Sequence, residues 1–221
     1  MIQYLTHVLE MVVNMKKIFK GIDLSKHNIV TDWEAVAKQV DFVILRAGGN
    51  YNGFYKDSKF ERYYNACKMY NIPVGAYYDC GKEFYTTEMG IKCADHFIGL
   101  LSGKQLEYPV YMDIEVTPAK FRKLITDATV AFCETMEDDH YFVGIYASDI
   151  SGFQGMLQKE RIEAYSKWVA RYGNKPTYIK DAGIWQYSSK GTVAGIKGNV
   201  DLDISYRDYE KLIKGVHKNG Y

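Results

Sequence analysis

Asp113 and Glu115 close the run Pro109-Val110-Tyr111-Met112-Asp113-Ile114-Glu115, an apolar stretch patterned as a short strand. Side chains alternate faces along a strand, so acids spaced i, i+2 point the same way, with Cα atoms roughly 6.5–7 Å apart. Two carboxyls held that close do not ionise independently: one pKa rises while the other stays low. A proton donor beside a persistent carboxylate suits acid-assisted cleavage of a glycosidic bond. The first protonates the leaving oxygen and the second supports the cationic sugar carbon. An isolated Asp-x-Glu is more often two solvated acids on an exposed strand end, so the chemistry depends on what the rest of the chain places beside the pair.

The elements that would position the pair alternate between strand and helix. Residues 18–24 read as a first strand and 32–39 as a short helix with an acidic start. Residues 41–46, with the continuous apolar Phe42-Val43-Ile44-Leu45, read as a strand buried on both faces. A helix over 57–70, a strand over 73–80 and a helix over 86–101 follow, the last ended by Ser102-Gly103. Residues 109–115 form the fourth strand, 119–136 a long helix broken by Glu137-Asp138-Asp139, and 141–147 the fifth strand. A less regular stretch leads to strands over 167–170, 183–186 and 199–204 and a closing helix over 206–215. This pattern predicts an α/β fold, an irregular (β/α)8-type barrel with reduced helices in its last third. An open doubly wound sheet is the runner-up, but no Gly-rich phosphate loop follows the first strand.

In α/β barrels the chemistry sits at the C-terminal ends of the strands. Those ends carry Asp23, Arg46, Tyr77-Tyr78-Asp79, Asp113 with Glu115, Tyr146, Arg171, Trp185-Gln186-Tyr187, and Asp201 with Asp203. Each has a bland explanation of its own: Arg46 pairing with Asp23 as a salt bridge at the barrel mouth, Trp185 as core. Together they describe a carboxylate-lined sugar cleft without a metal signature.

Composition narrows the function classes. The 221 residues carry 28 Lys and Arg against 27 Asp and Glu, a net charge of +1, so no polyanionic partner is implied. The mildly basic stretch from Arg207 to Tyr221 reads as a solvated helix end rather than a wall- or nucleic-acid-binding patch. The 20 tyrosines supply flat apolar faces with hydroxyl rims, suited to sugar rings but equally to strand packing. Cys67, Cys80, Cys93 and Cys133 show no C-x-x-C or zinc-finger spacing and are expected as free, buried thiols. His7, His27, His96, His140 and His217 are scattered, with no H-x-H or H-E-x-x-H, so no metal or cofactor is expected. His27, close to Asp23, fits a loop hydrogen-bonding role better than a place in the cleft. No stretch reads as a transmembrane span. Residues 1–15 are set apart as an N-terminal extension. They are moderately apolar but carry His7 and Glu10, lack a basic leader, and precede the natural start Met15-Lys16-Lys17. Residues 16–221 are then the catalytic barrel.

At this point the ordered motifs resemble a known family. Lys20-Gly21-Ile22-Asp23-Leu24-Ser25, Asp32-Trp33, Phe42 to Gly48 and Gly75-Ala76-Tyr77-Tyr78 resemble the first half of family 25 glycoside hydrolases. Tyr111 to Glu115, Gly144 to Ser148, Ile184 to Tyr187 and Gly198 to Asp203 resemble the second half, in order, over about residues 18–213. The resemblance implies a lysozyme, a β-1,4-N-acetylmuramidase acting on bacterial peptidoglycan with retention of configuration. It implies Glu115 as general acid/base and Asp113 as the stabiliser of the cationic state, the nucleophile, or the group orienting the substrate's acetamido oxygen. Asp23 and Asp201 match two further cleft aspartates, and Tyr77, Tyr78, Tyr146 and Trp185 match aromatic positions lining the cleft. Arg46 is expected to organise carboxylates rather than react, and Asp203 to contact substrate. A monomer acting on glycan strands at the cell wall is expected, and the absence of a leader suits a phage- or element-encoded endolysin. Many lytic relatives carry a wall-binding module, and nothing after residue 215 resembles one. The competing readings are a chitinase-like hydrolase of N-acetylglucosamine polymers and a non-catalytic wall-binding barrel. The second has no need of four mutually repelling acids.

Overall fold

The computed structural model describes residues 18–115 and 119–221. The expected extension over residues 1–15 lies outside these. The described chain runs β1 (Phe19–Leu24), β2 (Ile29–Val30), α1 (Trp33–Ala37), β3 (Phe42–Gly49), β4 (Tyr55–Lys56), α2 (Phe60–Met69), β5 (Val74–Cys80) and α3 (Thr87–Leu101). It continues through β6 (Val110–Ile114), α4 (Arg122–Asp138), β7 (Val143–Ser148), β8 (Ser166–Ala170), β9 (Ile184–Gly191), β10 (Ile196–Lys197), β11 (Val200–Ser205) and α5 (Tyr209–Gly215).

Strands β1, β3, β5, β6, β7, β8, β9 and β11 close into a barrel through pairing of β1 with both β3 and β11. Closure excludes the open doubly wound sheet. β1 through β9 pair in parallel around the ring, but β11 runs antiparallel to both β9 and β1. The eighth strand therefore departs from a regular (β/α)8 arrangement. The cause is the connection: only residues 192–199 join β9 to β11, and a parallel crossover needs a dozen or more residues. The reversal carries Asp201, at the start of β11, to the mouth where the other strands end, opposite Asp23.

The strand alternation sorts the core into two layers. Outward residues such as Ile22, Leu45, Ala76, Tyr78, Met112 and Ile145 pack beneath the helices against Phe97 of α3 and Phe132 of α4. Inward residues, among them Phe42, Ile44, Tyr111, Tyr146 and Trp168, fill the barrel itself, closed below by Tyr209 and Ile213 of α5. Two glycines make room for the large inward rings. A Cβ on Gly21 would stand 2.2 Å from the Phe42 ring, and one on Gly144 would stand 2.4 Å from the Tyr111 ring.

The helices begin where their caps dictate. Asp32 accepts from Ala35 N at 3.0 Å and Thr86 from Met89 N at 3.1 Å, satisfying first-turn donors of α1 and α3. α4 opens with a 3-10 turn over Ala119–Phe121 and runs through the acidic triplet to Asp138 rather than breaking before it. It stops because His140 takes a left-handed φ of 63°, with His140 N donating to Glu137 O and Tyr141 N to Met136 O. The irregular stretch after β7 holds a π-helical turn (Asp149–Gln154) and a 3-10 turn (Lys159–Arg161). The buried Asp149 carboxylate ties it down by accepting from Thr177 N at 2.7 Å, Ile179 N at 3.0 Å and Arg171 at 2.7 Å. All four cysteines are free and buried. Among the described residues no helix is long and apolar enough to cross a membrane.

Candidate active site

The cleft opens at the C-terminal mouth of the parallel strands, with a volume of about 180 Å³. Asp23 comes from β1, Tyr77 from β5, Asp113 from β6 with Glu115 just beyond it, Tyr146 from β7, Trp168 from β8, Gln186 from β9 and Asp201 from β11. Tyr172, in the loop after β8, stands on the rim. Every strand-borne member is an inward position, so the cleft follows directly from the barrel's alternation. A larger hollow of about 360 Å³ lined by Lys175, Lys180 and Arg207 lies at the other end, where β9 begins and β11 ends.

Trp168 forms the floor. Its ring packs 4.4 Å from Tyr146, 5.3 Å from Tyr111 and 5.9 Å from Tyr77, centroid to centroid. Gln186 organises the wall. Its Oε1 accepts from Tyr146 Oη at 2.9 Å and Tyr172 Oη at 3.2 Å, and its Nε2 donates to Asp23 Oδ2 at 2.7 Å. Asp113 Oδ1 is buried with no hydrogen-bond donor.

The structure thus gathers Asp23, Tyr77, Asp113, Glu115, Tyr146 and Asp201, as the sequence implied, and places four other expected residues elsewhere. Tyr78 is fully buried on the outer face, hydrogen-bonded through Oη to His96 Nδ1 at 2.8 Å and packed on Phe97 and Phe132. Consecutive strand residues cannot share a face, so only Tyr77 of the pair reaches the cleft. Trp185 is outward for the same reason, its Nε1 donating to Arg171 O at 2.7 Å, while its neighbour Gln186 points in. Arg46 does not pair with Asp23. Its Nε bonds the buried Asp57 at 2.8 Å, and a second nitrogen lies 3.9 Å from Asp79 Oδ2. Asp57 is fixed there by the backbone N–H groups of Lys26 and Lys59, each at 2.9 Å. Asp203 lies below the cleft, 1% exposed, with Oδ1 accepting from Trp168 Nε1 at 2.7 Å. It is too deep to contact substrate. His27 is exposed on the loop after β1 and absent from the cleft lining.

Trp168, Gln186 and Tyr172 were not among the expected site residues. The i, i+2 alternation sorts the residues of β8 and β9 by face, with Gln186 opposite Trp185, but which face turns inward is set by closure of the barrel. Tyr172 lies in an aperiodic loop and gives no such signal.

The site is electrostatically one-sided. Burial first, then the neighbouring Glu115 and Asp79, pushes Asp113 well above the ordinary aspartate range, with Arg46 opposing. Glu115 is exposed as a residue at the rim, yet desolvation of its carboxyl by the barrel mouth, then Asp79 and Asp201, raises it too. Asp23 is raised by burial and then by Asp203, Asp201 and Asp113, against the Gln186 hydrogen bond. Burial raises Asp201. A cluster of carboxyls with raised affinity for protons is suited to proton donation and to stabilising developing positive charge. Among the described residues no group of three or more His, Cys, Asp or Glu could hold a metal ion.

Known proteins share both sequence and architecture. The profile of glycosyl hydrolases family 25 matches residues 22–196. The autolytic lysozyme of Clostridium acetobutylicum is 27% identical over 186 residues, covering 83% of this chain and 55% of the relative, so the chain spans about half of that protein's length. The CTP1L endolysin superposes with a TM-score of 0.77 at 25% identity, covering 89% of this chain and 70% of that one. The modular autolysin LytC of Streptococcus pneumoniae superposes with a TM-score of 0.73 at 25% identity, over 85% of this chain and 46% of that one. For a family 25 glycosyl hydrolase of Bacillus anthracis the fold agrees with a TM-score of 0.72 at 22% identity, over 89% and 92% of the two chains. With a profile match that spans most of the barrel and an acid-lined mouth built by its strands, this chain belongs to glycosyl hydrolase family 25.

Proposed function

We propose that the chain is a lysozyme, an N-acetylmuramidase that hydrolyses the β-1,4 bond between N-acetylmuramic acid and N-acetylglucosamine in bacterial peptidoglycan, with net retention. The observation that carries the reading is the placement of Asp113 and Glu115, side by side at the end of β6, in a polar cleft where burial and then the neighbouring acids hold their pKa values up. Glu115, accessible at the rim and inclined to stay protonated, donates the proton to the leaving glycosidic oxygen. Asp113, deeper and with Oδ1 lacking a donor, supports the cationic anomeric carbon or orients the substrate's acetamido oxygen toward it. Asp23 and Asp201 complete the negative surround, and Tyr77, Tyr146 and the exposed Tyr172 offer faces and hydroxyls to the sugar rings. Arg46 organises Asp57 and Asp79 rather than touching the substrate.

The catalytic unit is the barrel of residues 16–221, acting as a monomer, since one chain supplies the whole cleft. Its place of action is the bacterial cell wall, and the likeness to the CTP1L endolysin favours an endolysin role.

The test is digestion of purified peptidoglycan, followed by borohydride reduction and mass spectrometry of the new ends, with Glu115→Gln as control. Reduced muramic acid ends that the control lacks are expected. Reduced glucosamine ends make the enzyme a glucosaminidase, cleavage confined to chitin oligomers makes it chitinase-like, and wall binding without cleavage makes it a binding barrel.

A further inference from the structure

We propose that Asp203 is a positioning residue for the glycosidase reaction, holding one proton between its Oδ2 and the Asp23 carboxyl so that Asp23 presents a fixed oxygen to the cleft. The effect on rate rests on the hydrolase reading above, whereas the shared proton is a property of the folded chain by itself.

The geometry begins with register. Asp201 and Asp203, two residues apart on β11, face the barrel interior, and antiparallel pairing sets Asp201 across from Asp23 and Asp203 across from Gly21, one step deeper. The space over Gly21 is filled by the Phe42 ring, and Asp203, paired with Gly21 across the strands, is almost fully buried. Its Oδ1 is committed to Trp168 Nε1. Its Oδ2 is buried with no hydrogen-bond partner, and the nearby Asp23 carboxyl interacts with the Asp203 carboxyl directly. Two carboxylates have only acceptors to offer each other, so one proton between them is what would satisfy the buried Oδ2 and join the pair.

The partner is equally constrained. Asp23 Oδ2 accepts from Gln186 Nε2. Gln186 cannot turn its amide around, because its oxygen already accepts the Tyr146 and Tyr172 hydroxyls. Asp23 is thus gripped from one side by Gln186 and from below by the proton on Asp203, leaving its remaining lone pairs for the cleft.

The groups that face the pair are Asp201 on the same strand, Asp113 on β6, Tyr77 on β5, Tyr146 on β7, Tyr172 in the loop after β8 and Tyr187 on β9, none of them cationic. The Arg46 guanidinium is engaged with Asp57. Without the shared proton, burial would force adjacent like charges together in a dry site. Burial, then Asp201, outweighs the Trp168 and Asp23 hydrogen bonds and lifts Asp203 to about 8, so the proton is kept through neutral pH.

The test has two arms. In the first, the infrared carbonyl stretch of buried, protonated carboxyls is recorded in Glu115→Gln protein, which removes the contribution of Glu115. One component of the intensity present at neutral pH is expected to be missing in the Glu115→Gln/Asp203→Asn protein, and that same component to be lost from the single variant as pH rises through about 8, whatever the buried Asp113 contributes beside it. The second arm compares Asp203→Asn and Asp203→Leu on peptidoglycan. The asparagine keeps the Trp168 contact through its oxygen and replaces the shared proton with an N–H. Its kcat is expected within about threefold of the parent, while the leucine variant loses about 10–100-fold in kcat with KM little changed. An infrared band untouched by Asp203→Asn, or equal losses of kcat in the two variants, overturns the proposal. The infrared arm reads the pair whether or not the protein cleaves peptidoglycan and whether or not the leucine variant folds.

Discussion

Glu115 and Asp113 differ by position rather than chemistry. One carboxyl sits at the rim and the other inside the mouth; burial first, with Asp79 the neighbour they share, pushes both toward the protonated form. Replacing Glu115 with Gln keeps the size and removes the proton, so kcat should fall about 10²–10⁴-fold while the circular dichroism spectrum is unchanged. Near-normal turnover in that variant would remove Glu115 from the mechanism. The raised pKa also fixes the direction of the pH profile. An acid that must be protonated works below its pKa, so kcat/KM should decline as pH rises through a value above the ordinary glutamate range. In Glu115→Gln that limb should vanish from the residual activity. Both residues are legible in the sequence through their i, i+2 spacing at the end of an apolar run. It misassigned Tyr78 and Trp185 because their type suits a sugar cleft, and type does not say which face a side chain takes.

At the scale of elements, the strands are held by what they leave out as much as by what they bury. β7 passes the fully buried Tyr111 ring only because residue 144 has no side chain, and a Cβ there would also stand 2.8 Å from Ser166 O. Tyr111 has no room to withdraw, so Gly144→Ala should cost about 1–3 kcal/mol in urea or thermal unfolding. Wild-type stability in that variant would mean the barrel interior is looser than its packing indicates. The β3 side of the mouth depends on a different device. Asp57 is 1% exposed and joins Arg46 to the backbone of two neighbouring segments. Asp57→Ala would strand a buried guanidinium, and the expected loss is about 3–5 kcal/mol of stability. A loss under about 1 kcal/mol would show that Arg46 finds another partner. The order and type of elements followed from the sequence because apolar runs and caps are local signals. The direction of β11 did not, because a strand's own residues are the same whichever way its neighbours run.

For the whole molecule, the acid cluster ties stability to pH. Burial and the neighbouring acids raise the proton affinity of Asp23, Asp113 and Asp203 above that in the unfolded chain, and burial raises that of Asp201. The stability this contributes is fully present below the unfolded carboxylate pKa values and is lost as pH rises through the raised native values, about 8 for Asp203, by up to about 1.4 kcal/mol per pH unit for each proton kept. Asp149 acts in the opposite sense. Burial would raise it, but the Ile179 and Thr177 amides and Arg171 more than offset this and hold it low, so its contribution is lost as pH falls through the acid range. Thermal unfolding should therefore show a maximum in mildly acidic solution and a decline toward pH 8 that Asp203→Asn flattens. A melting temperature that stays level across that interval would contradict the native-state protons. Stabilisation by removing an acid from the mouth, at the expense of turnover, is the expected signature of a site built from repelling charges.

The sequence by itself determined the α/β class, the run of strands and helices, the acid pair and the family, because each is written in local periodicity, spacing or ordered motifs. Only the tertiary structure decided that β11 runs backward, that Trp168 and Gln186 line the cleft in place of Trp185 and Tyr78, that Arg46 serves Asp57, and that Asp203 lies beneath Asp23. Those outcomes depend on which residues meet across the closed barrel. Such meetings are fixed by strand direction, register and the space left by small residues on other strands, and none of these is a property of any one segment of the chain.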